Sequence, residues 1–152
     1  MTFIQEILHN PLFVAPALAW TLAQGSKTVL YTVINKQFDP ERLTGGGGMP
    51  SSHSATVCAL AAAAGMHYGA GGFEFPMAVF FAFIVMYDAM GVRRETGKQA
   101  QVINDIVDEI RKMNSVQDFS SEEVLKEFVG HTPLQVAVGA ILGIIVGILV
   151  AA

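Results

Sequence analysis

The run from Leu134 to Ala152 contains no charged side chain, and nothing in it favours water. A helix crossing the hydrocarbon core of a bilayer needs roughly 20 mostly apolar residues, and this run supplies them. Three further apolar stretches precede it. One extends roughly from Leu12 to Ile34, interrupted by Gln24, Ser26 and Lys27. Another runs from Ala55 to about Gly72 and is rich in Ala and Gly. A third covers Phe75 to Met90 and holds Phe80, Phe81, Phe83 and Ile84. The Ala-rich stretch alone also fits a buried helix in a soluble core. Four such stretches within 152 residues read instead as one polytopic, all-α membrane domain over 1–152, with spans at about 12–34, 55–72, 75–91 and 133–152. Only 14% of the residues are charged, and the mean hydropathy is +0.46. A soluble domain carries about 25% charged residues, so an ordinary soluble enzyme and a disordered tail are both excluded.

Charge placement orients the spans. The net charge of −4 gives no reason to expect nucleic acid as a partner. The nine basic residues are Lys27, Lys36, Arg42, Arg93, Arg94, Lys98, Arg111, Lys112 and Lys126. In a four-span arrangement all lie at the end of span one, in the loop that follows it, or between spans three and four. Those positions share one side, which the positive-inside rule assigns to the cytoplasm. Both termini are then extracytoplasmic, in a bacterial inner membrane. Met1 to Glu6 carries no Lys or Arg and does not read as a cleaved secretory signal. The single cysteine, Cys58, allows no disulfide within the chain.

Between spans three and four, Thr96 with Gln99 has the spacing of a capping box. Val102, Ile103, Ile106, Val107, Ile110 and Met113 then recur at helical intervals. This predicts an amphipathic helix over about 97–114. Ser120 with Glu123 predicts a second, over about 121–129, which Gly130 ends. Such helices lie along the cytoplasmic interface or pack as solvated helices on each other.

Three polar motifs fall at the cytoplasmic ends of the spans. Gly45 to Gly48 lead into Met49-Pro50-Ser51-Ser52-His53-Ser54. Span three closes on Tyr87-Asp88-Ala89-Met90-Gly91-Val92-Arg93-Arg94. Span four opens with Gly130-His131-Thr132-Pro133-Leu134-Gln135. Glycines before a helix let the backbone approach an anion, or form a hinge. Lys27 lies about two turns inside the same end of span one. Taken singly, Lys27 reads as a snorkelling side chain and the arginines as topology anchors. Together, two histidines, two arginines, a lysine and several hydroxyls on one membrane face predict an anion site.

Pro50-Ser51-Ser52-His53 resembles the P-S-G-H signature of the type 2 phosphatidic acid phosphatases, which are related to vanadium haloperoxidases. His131 to Gln135, followed by Gly139 and Gly143, is similar to that superfamily's closing H-x-x-x-D motif. The full set, G-G-M-P-S-S-H-S-A, D-A-x-G-V-R-R-x-x-G-x-Q-A and G-H-x-P, is similar to the superfamily's divergent branch, over about 27–147. The resemblance implies His131 as the nucleophile that takes a phosphoryl group and His53 as the acid that protonates the leaving oxygen. It implies Lys27, Ser51, Ser52 and Arg93 or Arg94 as phosphate ligands, and a lipid phosphate, lipid pyrophosphate or phosphate anion as partner. No carboxylate cluster near the motifs calls for a metal, and no cofactor is expected.

The chain departs from the superfamily pattern at three points. Arg94 and His131 are separated by a long segment, whereas the superfamily keeps its arginine and histidine a few residues apart. Ser52 stands in place of glycine. Gln135 stands where an aspartate would orient the nucleophile; it also completes a capping box with Thr132 around Pro133. These departures leave a non-catalytic phosphate-binding or transport protein as the alternative to a phosphatase, and Asp88 as a supporting residue of unassigned role. Gly139, Gly143 and Gly147 form a small-residue face that serves either the bundle or a homodimer.

Overall fold

The computed structural model describes residues 2–38, 40, 47–113, 125 and 130–152, the side chains of Arg111 and Met113 excepted. Six helices lie among them: α1 (Phe3–His9), α2 (Pro11–Asn35), α3 (Ser52–Tyr68), α4 (Glu74–Met90), α5 (Val92–Met113) and α6 (Pro133–Ala151). Gly45, Gly46, Arg42, Lys126, the Ser120–Glu123 capping box and the expected helix at 121–129 lie outside the described residues. Two helical stretches are long and apolar enough to cross a membrane. One is Glu74–Ile110, which contains α4 and most of α5; the other is Pro133–Ala151.

Local chemistry sets the helix starts. Thr2 and Gln5 form a capping box that opens α1, an element not expected from hydropathy. Asn10 accepts from the Leu12 N–H, and Pro11 occupies the first turn of α2. Ser51 caps α3, so this helix starts at Ser52 rather than near Ala55. α5 begins at Val92, immediately after Gly91, and not at about Gly97. The Thr96 hydroxyl donates to the Val92 carbonyl at 3.0 Å, as a residue inside a helix does, so the expected Thr96–Gln99 cap does not form.

α3 is the central helix. α2, α4 and α6 all pack on it, while the α2 and α4 backbones stay apart. Ala55, Ala59 and Ala63 of α3 meet Ala15, Ala19 and Ala23 of α2 and Val146 of α6. Their four-residue spacing keeps each set on one helix face. Without side-chain bulk the backbones come close, the way helices associate where hydrophobic burial drives little. The enclosure also explains why α3 is only modestly apolar: its neighbours cover it.

The glycine face of α6 packs on the same helix. A Cβ at Gly139 would strike the Ser51 carbonyl, one at Gly143 the Ala55 carbonyl, and one at Gly147 would lie 2.6 Å from the Ala59 carbonyl. Of the two uses open to this face, packing within the bundle is the one seen: α3 of the same chain lies against it.

Candidate active site

The pairing Gly139–Ser51, Gly143–Ala55, Gly147–Ala59 advances in one direction along both helices, so α3 and α6 are parallel. Their N-termini, each carrying a partial positive charge, meet at one end of the bundle. Two backbone bonds hold them there. Ser51 N–H donates to the Gln135 carbonyl at 3.0 Å, and His131 N–H donates to the Ala89 carbonyl at the end of α4 at 3.1 Å. The three polar motifs are thus brought together.

His131 is 1% exposed. Gln135 Oε1 accepts from the Thr132 backbone N–H at 3.0 Å and lies 3.3 Å from His131 Nδ1. A backbone N–H can only donate, which fixes the amide with its oxygen toward both groups. An oxygen that only accepts then requires the proton on Nδ1. In the neutral ring Nε2 therefore carries a free lone pair. It is buried and meets hydrogen-bond geometry with no described group, although the Gly48 backbone lies close enough to the ring to act on it as an acceptor. Burial is the largest cause holding the imidazole below its ordinary value of 6.5; the Gln135 hydrogen bond and, more weakly, the Gly48 backbone oppose it, while the Lys27 and His53 charges act in the same direction as burial.

The His53 ring sits edge-on to His131, with centroids 5.7 Å apart. Its Nδ1 is also buried and unpartnered. Beside it, Lys27 is 3% exposed, and its Nζ donates to Ser52 Oγ and to Gln24 Oε1, each at 3.1 Å. The Ser52 hydroxyl donates to Gln24 Oε1 at 2.9 Å. Gln24 is a member of this cluster that motif reasoning missed. Its signal was available: a polar residue one turn from Lys27 within an apolar span. Gly48, at φ +78°, lies against the Lys27 stem, where a Cβ would come within 3.1 Å of Cγ.

Ser51 plays another part. It is fully buried, and its Oγ accepts from the Ser54 N–H at 3.3 Å and the Ser54 hydroxyl at 3.0 Å. Its hydroxyl is turned into the helix start as a cap. Ser52 and His53 head the first turn, where N–H groups have no intrahelical acceptor. They are the backbone donors best placed for an anion.

The arginines separate. Arg93 Nε donates to Asp88 Oδ2 at 3.0 Å. Both side chains line a cleft of about 540 Å³ together with Ser52 and His53. Arg94 is exposed and does not line it. Its backbone instead presses on Gly130, where a Cβ would strike Arg94 Cα and N. This contact places Arg94 and His131 near one another in space, although the chain separates them widely. Among the described residues, no group of three or more His, Cys, Asp and Glu side chains is arranged to hold a metal.

The Divergent PAP2 family matches residues 8–146. The chain belongs to that family. As a Divergent PAP2 chain it is similar to the "Uncharacterized membrane protein YuiD" of Bacillus subtilis (strain 168), 37% identical over 153 residues. The alignment covers 96% of this chain and 97% of that relative. No solved structure matches the Divergent PAP2 chain.

Proposed function

We propose that the protein is a membrane-embedded phosphatase acting on the phosphate or pyrophosphate of a lipid at the cytoplasmic face. The buried Nε2 of His131, which meets hydrogen-bond geometry with no described group, carries this reading. A lone pair held in one tautomer and enclosed beside two helix N-termini is suited to attack phosphorus. Nε2 forms the bond to phosphorus while the ester P–O bond breaks, and His53 gives its proton to the leaving oxygen. Water then cleaves the phosphohistidine, with His53 taking the water's proton. Arg93 and Lys27 balance the charge on the phosphoryl oxygens, where most of the catalysis of such transfers lies. The site's end of the bundle carries the basic residues, which supports four spans, α2, α3, α4 and α6, with both termini outside the cytoplasm.

Gln135 favours a second reading. A neutral amide stabilises a cationic histidine less than a carboxylate does, which suits a protein that binds phosphate without turnover. Phosphate release from a panel of lipid phosphates and pyrophosphates, using purified protein, separates the two. The phosphatase reading expects release that His131→Ala and His53→Ala each abolish. Vanadate binding without release from any lipid would favour the binding protein. Full release by His131→Ala would remove it as nucleophile.

A further inference from the structure

Among the described residues, two of the grooves on the sides of the bundle lie between helices, and they differ at their ends. One lies between α3, α4 and α6, with a volume of about 630 Å³. Cys58, Met66, Phe83, Met86, Ile144 and Ile148 are among its lining residues; no charged side chain and none of the candidate site residues lines it. The other is the cleft between α2 and α4, which pack on α3 with their backbones apart. Its head is Ser52, His53, Asp88 and Arg93. Below the head it is apolar, walled by Trp20 of α2 and by Phe81, Ile84 and Val85 of α4. Trp20 is 47% and Ile84 64% exposed, so this cleft opens sideways, toward lipid in the four-span arrangement.

Resting on the phosphatase reading of the same site, we propose that the α2–α4 cleft seats one hydrocarbon chain of a lipid monophosphate. The phosphate lies at His53 and Arg93, and the substrate enters laterally from the bilayer. The heads decide between the grooves, because this one joins an apolar wall to ionisable side chains, with Arg93 paired to Asp88 and the first-turn N–H groups of α3 at Ser52 and His53 beside them. From Asp88 to Phe81 the cleft runs two turns of α4, about 10 Å. That is roughly a third of a hydrocarbon core about 30 Å thick. It therefore holds the part of the chain next to the headgroup, while the rest stays in lipid. Bulk near the headgroup is discriminated, and total chain length is not.

The test uses the full chain in phosphatidylcholine nanodiscs. Vanadate affinity is measured directly, and dodecyl phosphate placed in the disc is measured as its competitor. Ile84→Trp fills the α2–α4 cleft, and Ile148→Trp fills the other groove as a control. The readout is the ratio of dodecyl phosphate affinity to vanadate affinity. Ile84→Trp should lower this ratio at least about tenfold, the equivalent of 1.4 kcal/mol, and Ile148→Trp should leave it unchanged. An unchanged ratio in Ile84→Trp, an equal loss of both ligands there, or the loss appearing in Ile148→Trp instead would overturn the chain seat while leaving the anion site standing. No vanadate binding by the wild-type protein would overturn the anion site, and the chain seat with it.

Discussion

Gln135 joins two jobs in one oxygen. It closes the capping box of α6 and holds the His131 proton on Nδ1. Burial keeps the His131 imidazole below 6.5, so if His131 is the nucleophile of the proposed phosphatase, the acid limb of phosphate release should lie beneath 6.5. Gln135→Glu keeps the cap and places a carboxylate against the ring. An adjacent anion favours the imidazolium, so the acid limb should move to higher pH. Turnover above it should rise, because the phosphohistidine cation is stabilised. The gain should be well under the about ten-thousand-fold that a carboxylate-to-amide change costs in a serine protease, where the wrong tautomer adds to the loss. A pH–rate profile of both forms checks this. A limb and a rate that both stay in place would reduce Gln135 to a cap. Both histidines were legible from short motifs. The choice of Arg93 over Arg94, and the turning of Ser51 away from the cleft, were not, because neighbours in sequence point to different places once a helix start fixes their directions.

At the level of helices, the bundle is held by small residues. Gly143 meets the Ala55 backbone with no room for a side chain, whereas Gly25 on α2 has open space around the position of a Cβ. Gly143→Leu should therefore destabilise the bundle by at least the about 1–3 kcal/mol typical of overpacking, read as a lower thermal unfolding midpoint in detergent. Gly25→Leu should leave it nearly unchanged. Equal midpoints would mean that α3 and α6 are not packed as described. The glycine repeat was visible in the sequence, but its partner was not. A period of four tells which residues share a face, not which helix covers it. The matching alanine repeats of α2 and α3 give the answer only when the three are read together. α1 and the early start of α5 were hidden for a different reason: each depends on one cap or one glycine rather than on a long hydrophobic pattern.

For the whole molecule, the proposed orientation rests on where the basic residues lie in the sequence. Gly71 sits in the α3–α4 turn with open space around it, and Gln101 is exposed on α5. In a Cys58→Ala background, Gly71→Cys should react with an impermeant thiol reagent from outside intact cells. Gln101→Cys should react only after the membrane is opened. Labelling of both from the same side would place the two turns together and overturn the four-span arrangement.

The contact of Gly130 with Arg94 means that the chain between them leaves and returns at a single point, a noose closed at its neck. The entropy of closing a loop grows only slowly with length, about 0.6 kcal/mol per doubling. Lengthening or trimming the chain within the noose should therefore leave the neck where it is.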